Sequence, residues 1–238
     1  MDTRMQTLDL IANNLANASS PGYKADRERF SSYLSGAAAE AILAGESKTL
    51  SEMPMIEDRY TEFRQSGLQE TGNPTDVALE GSGFFVVDTP RGARYTRAGN
   101  FRLAPDGELR TRQGYAVKVL ETERPGKLAA DPKIPLEIDA EGAIWQQQRR
   151  LGKLSVQDFS RPDLLRKEEG VYFAAQPGMT PRAAKATVSN KALEVSNVDA
   201  ASASMQLVTA SREFQMLNRA YSVVSTARRG VLEQVAKW

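Results

Sequence analysis

The chain contains neither cysteine nor histidine. Without cysteine there is no disulfide, no thiolate nucleophile and no cysteine-ligated zinc. Without histidine the commonest general base and the commonest metal ligand are missing as well. An excess of one charge is also lacking, because 31 Lys and Arg face 30 Asp and Glu. No basic stripe stands out, so the electrostatic footprint of a nucleic-acid binder is absent. Apolar runs are only a few residues long, far below the roughly 20 that span a bilayer. The start of the chain lacks the basic cap and apolar block of a secretory signal, since Asp2, Arg4 and Asp9 interrupt Met1 to Leu15. These absences disfavour most hydrolase and metalloenzyme designs. They lead us to expect no catalytic site, no cofactor or metal, no small-molecule substrate, no nucleic-acid partner and no membrane insertion.

What is present is enough to fold: 238 residues with 41% apolar content can bury a real core in one large or two small domains. The two ends differ in kind from the middle. Met1, Met5, Leu8, Ala12 and Leu15 alternate at steps of four and three, one stripe of a helix, and Asn17 to Gly22 supplies a stop around Pro21. At the other end Ala200, Ala203, Leu207, Ala210, Phe214, Leu217, Tyr221, Val224, Arg228, Val231 and Val235 follow the same alternation as a sustained seam, with Arg228 its one breach. With Asp199 as N-cap, this helix runs about 57 Å against about 25 Å for the first. Half of its seam therefore lacks a partner in the first helix, which points to assembly.

Between the ends, short runs at Phe84 to Val87, Arg94 to Thr96, Asn100 to Leu103, Leu109 to Thr111 and Tyr115 to Leu120 alternate with glycine turns and predict an antiparallel meander. A second strand-rich stretch covers Ile134 to Phe173. The expected class is α+β: N- and C-terminal helices form a coiled-coil-like domain around a central, mostly antiparallel β-domain. Residues 1–34 with 190–238 would form the helical part, 35–60 a connector to which the sequence assigns no structure, and 61–189 the β-rich domain.

Two segments carry a specific resemblance. Ile11-Ala12-Asn13-Asn14-Leu15-Ala16-Asn17-Ala18-Ser19-Ser20-Pro21-Gly22-Tyr23-Lys24 resembles, nearly residue for residue, the N-terminal signature of the flagellar rod and hook axial proteins. Gly72 to Val87, continued by Tyr95 to Phe101, is similar to the start of the β-domain in those family members that have one. A weaker match covers Ala192 to Val198, where the family usually has glycine at the place of Val195. The resemblance implies a subunit of the bacterial flagellar basal body whose terminal helices pair in the wall of a tube with the β-domain outside. It also implies partners among other axial proteins and further copies of itself, export by the flagellar type III apparatus without a cleaved signal peptide, and a place in the rod crossing the periplasm. Length and a single middle domain are most similar to proximal-rod members, with distal-rod members second. Hook members usually carry a larger insertion. Family members also generally have about ten residues before the position of Met1.

The expected assembly interface comprises Asn13, Asn14, Leu15, Asn17, Leu207, Phe214, Leu217, Tyr221, Val224 and Arg228. Asparagine is a mediocre helix former, so three in one short helix call for a reason. They either fix the register between packed helices with neutral amides or mark a fraying helix end capped near Asn17. A buried Arg228 would require a carboxylate from another helix. Gly81-Ser82-Gly83 lacks the lysine and following helix of a phosphate loop. The pairs Asp76 with Glu80 and Glu168 with Glu169 read as solvated carboxylates rather than acid and base. The competing class is a secreted β-rich binding module that a coiled coil oligomerises, which would need a concave pocket with converging polar groups.

Overall fold

The computed structural model describes residues 2–33, 53–122 and 128–235. These form two helices and a set of short antiparallel strands, and no described helix is long and apolar enough to cross a membrane. The chain divides into two compact units, one of residues 1–16, 26–60 and 199–238, the other of residues 17–25 and 61–198.

The β unit is organised by one strand, Phe84–Thr89. Phe84, Phe85, Val86 and Val87 are all buried, and because side chains alternate across a strand, such a run serves two opposite cores. Phe85 and Val87 join Val77, Leu79, Phe101, Leu109, Ile138, Ile144 and Leu154 on one face. Phe84 and Val86 join Tyr95, Phe159, Leu165 and Phe173 on the other, where the aromatic rings meet edge to face. The strand pairs antiparallel with Gly92–Thr96 across the Pro90–Arg91 turn, with Ala116–Val117, and with Val156–Asp158. A four-stranded sheet runs in the order Val119–Leu120, Arg149–Leu154, Ala143–Gln146, Glu137–Ile138. Two ribbons complete the unit: Val77–Glu80 with Thr187–Asn190, and Leu68–Glu70 with Ala192–Glu194. The predicted meander is present, with its strands trimmed to pairs such as Arg102–Leu103 and Leu109–Arg110.

The helical unit contains α1 (Asp2–Ala16), α2 (Ala200–Val235) and a two-stranded sheet of Asp26–Tyr33 with Met53–Thr61. All of that last strand but Thr61 falls in the 35–60 span to which the sequence assigns no structure, and residues 35–52 of that span lie outside the described residues. Asp199 is the N-cap of α2, accepting the amides of Ala201 at 3.0 Å and Ser202 at 3.4 Å on its carboxylate. The helices, 15 and 36 residues long, contact one another. At about 1.5 Å per residue they extend about 22 and about 54 Å.

The stripe expected on α1 needs correction. Met5 is 52% exposed and Ala12 is exposed, whereas Leu8, Ile11 and Leu15 are half-buried and Asn14 is buried. The physical reason is Asn14. Its amide donates to the Asp26 carbonyl at 2.8 Å and accepts the Asp26 amide at 3.0 Å. Those paired bonds turn Asn14 inward and rotate Met5 and Ala12 to the outside.

Glycine is obligatory at Gly99, where an added Cβ would stand 1.7 Å from the Val77 carbonyl oxygen that the fold places there. Gly99→Ala should therefore lower the urea midpoint by the equivalent of about 3 kcal/mol or more, the upper end for overpacking. Asp158 and Asp139 contribute to the acid stability of the β unit. Burial alone would raise Asp158, but Arg182 and the Phe159 amide hold it below the usual carboxylate range. Burial would likewise raise Asp139, and the Trp145 indole with the Ala143 and Glu141 amides hold it down. Carboxyls depressed in the native state stabilise it above their unfolded pKa, near 3.9, and lose that contribution as pH falls through the folded value. Unfolding free energy should thus fall steeply below about pH 4, and Asp158→Asn should flatten that slope in urea titrations at stepped pH.

Candidate assembly site

Nine of the ten expected interface residues lie in the helical unit, on α1 or α2, and Asn17 lies in the β unit. On α2 burial declines along the seam. Ala203 is buried, Leu207, Ala210 and Phe214 are half-buried, Leu217 is 44% exposed and Tyr221 is 67% exposed. Ile11 of α1 shares a groove with Ser202, Met205, Gln206, Thr209, Ala210 and Glu213. The seam is thus covered near the start of α2 and open where α1 has run out. The side chains of Val224 and Arg228 lie outside the described residues.

Within the chain, two of the asparagines bond the backbone of nearby segments. Asn14 clamps the first residue of the Asp26–Tyr33 strand through both halves of its amide, as a neighbouring strand would. Asn17 follows the last residue of α1, and its carbonyl accepts the Ser20 amide at 3.0 Å in the turn that leads to Gly22 at φ +67°. Asn13 is exposed and Leu15 half-buried. A fourth asparagine, Asn197, repeats the Asn14 device in the β unit, accepting the Ala25 amide at 2.7 Å and donating to the Glu62 carbonyl at 2.7 Å.

Sequence reasoning missed the most buried polar cluster. Lys24, Arg97 and Glu194 come from the three separate segments that carry the resemblance, and they meet inside the β unit. Lys24 Nζ lies 2.5 Å from Glu194 Oε1 with both side chains fully buried, and Arg97 Nη1 lies 3.5 Å from Glu194 Oε2. Glu194 also accepts the Ser66 amide at 2.9 Å, Lys24 donates to the Arg64 carbonyl at 2.8 Å, and Arg97 donates to the Gly81 carbonyl at 2.7 Å. Burial pulls both basic groups below their ordinary ranges, against the opposing pull of Glu194. The Gly22 amide donates to the Glu194 carbonyl at 2.7 Å, and Gly22 packs so closely on Arg97 and Ala98 that an added Cβ would lie 2.3 Å from the Ala98 nitrogen. The available signal was charge embedded in each motif: Lys24 after Gly22-Tyr23, Arg97 before Ala98-Gly99, and Glu194 between Leu193 and Val195. At Val195, where the family usually has glycine, the backbone avoids positive φ, so the valine brings no strain of that kind.

Two carboxylates expected to be solvated are not. Asp76 is buried and receives the Thr71 hydroxyl at 2.8 Å and the Asn73 amide at 3.0 Å, closing the Thr71–Asp76 turn. The side chain of Glu168 is mostly covered and pairs with Arg94 at 2.8 Å. Both are building elements of the β unit.

Because Glu194 balances two buried cations, Glu194→Gln should cost about 3–5 kcal/mol. Lys24→Met should cost less, since Arg97 and the Ser66 amide still hold the carboxylate. Comparing urea midpoints of the two variants checks this ranking, and a larger loss in Lys24→Met would contradict it.

Residues 78–148 match the family model described as the flagellar hook protein FlgE/F/G D1 domain, and residues 1–24 match that of the flagella basal body rod protein. The flagellar basal-body rod protein FlgG of Bacillus subtilis is 32% identical over 87% of this chain and 85% of its own length. The rod protein FlgF of Caulobacter vibrioides is 28% identical over 99% and 94%. The flagellar hook protein FlgE of Brucella abortus is 36% identical over 48% of this chain and 28% of its own length. Full-length similarity runs to rod proteins of both names, while similarity to the hook protein stops at about half of this chain. The chain belongs to the flagellar basal-body rod protein family, as a structural subunit of the rod.

Proposed function

We propose that the protein polymerises through its helical unit, with α1 and α2 pairing as a coiled coil whose uncovered length is completed by neighbouring axial subunits. The observation that carries this reading is the loss of burial along the α2 seam, from Ala203 at 7% exposure to Tyr221 at 67%. Leaving such apolar surface in water forfeits burial at about 25 cal/mol per Å², and a helical neighbour recovers it. The β unit, tied together by its buried ion cluster, is suited to passing torque between neighbours. Partners are then copies of this chain and other rod or hook proteins, and the role is mechanical rather than catalytic.

Membership of the family supports export through the flagellar apparatus and a place in the rod across the periplasm. Among rod members we favour the proximal rod, on length and a single middle domain. Relatives of both rod names support membership of the rod as a whole.

Leu217→Glu and Tyr221→Glu place charge on the open seam without touching the β unit. Each should leave the urea midpoint of the β unit unchanged and abolish swimming, with basal bodies that lack a complete rod by electron microscopy. Normal rods in both variants would refute the reading.

A further inference from the structure

Each helix of the helical unit has a second face. On α1, Met5, Asp9, Ala12 and Ala16 are exposed and recur at steps of four, three and four, one line along the helix. On α2, Met205, Thr209, Arg212 and Met216 are exposed at the same steps, and Val223 extends the line at 68% exposure. At about 100° per residue this line lies nearly opposite the seam of Ala203, Leu207, Ala210 and Phe214. Met205 and Thr209 also form the rim of the groove beside Ile11, so the second face continues the intramolecular contact outward.

The two outer faces are complementary. Set antiparallel, Met5 of one helix meets Met216 of the other, Asp9 meets Arg212, Ala12 meets Thr209, and Ala16 meets Met205. Three facing pairs bring apolar or small side chains together, which lets the backbones approach closely, and the fourth brings an acid to a base. Neither Asp9 nor Arg212 has a side-chain partner among the described residues. The α1 of the same chain cannot supply this contact, because Asn14 fixes its other face inward. The matching surface therefore belongs to another molecule with the same α1.

We propose that the outer face of α2 receives the outer face of α1 from a second copy of this chain, antiparallel, with Asp9 against Arg212. This rests on polymerisation through the helical unit and names its register. Each copy offers one donor face and one acceptor face, a head-to-tail contact that builds an open helical filament where its rotation does not close a ring.

The absence of native cysteine makes the test direct. Cells co-expressing the Met5→Cys and Met216→Cys proteins should yield a dimer when isolated basal bodies are treated with a short bismaleimide, whose reach matches the roughly 8–10 Å between packed helices. Met5→Cys with Val223→Cys, out of register, should yield none. Independently, Asp9→Arg and Arg212→Asp should each reduce assembled rods by about tenfold through like-charge contact, and the double exchange should restore them to within about twofold of the parent. Assembled rods without the Met5–Met216 dimer, a double exchange no better than the worse single, or linkage of Met5→Cys to a different axial protein would each overturn the proposal. If Leu217→Glu abolishes rods while Asp9→Arg and Arg212→Asp do not, this register fails and polymerisation through the seam survives. If Leu217→Glu also leaves rods intact, the broader reading has failed.

Discussion

A 15-residue helix cannot cover a 36-residue one. That mismatch is the constraint on which the rest depends, because it leaves apolar surface that no rearrangement within α1 and α2 removes. Sliding α1 along α2 would only move the uncovered stretch. On the proposed reading the chain borrows helix from a neighbour to cover it. Monomeric soluble proteins rarely tolerate contiguous exposed apolar patches of this kind.

The β unit answers the opposite requirement. It is closed on itself, with two cores on either side of Phe84–Thr89 and an ion cluster that ties residues 17–25 to Arg97 and Glu194. A buried ion pair is a poor source of net stability compared with apolar packing. Its use here is positional. Lys24, Arg97 and Glu194 satisfy one another only in a single arrangement of three segments far apart in sequence, so the segment that follows α1 is fixed within the β unit. Asn197 adds to this by tying Ala25 to Glu62 through one amide.

The class of the fold was legible because its signals are local. Glycine turns and the Asp199 cap each act within a few residues, and each reappears in the structure. The inward face of α1 was not legible, since it is decided by Asn14 reaching Asp26 and no periodicity encodes that bond. The same holds for Glu194, whose partners lie 170 and 97 residues away. Asp76 looked solvated for a related reason: its burial depends on a turn that folds Thr71 and Asn73 around it, while its sequence context reads only as polar. Composition speaks about neighbours along the chain and is silent about pairings that the topology creates.

The opposition of two faces on α2 decides what kind of assembly can form. Had its apolar surface been a single stripe, a two-fold pairing of like with like would have buried it completely and ended growth at a dimer. Two different faces on opposite sides cannot both be satisfied that way. Under the proposed contact each takes a different surface, so every added subunit presents again the face that its arrival covered. Growth is then limited by supply and by whatever caps the end. In such an assembly, stiffness comes from repeating a modest contact many times rather than from any single strong one.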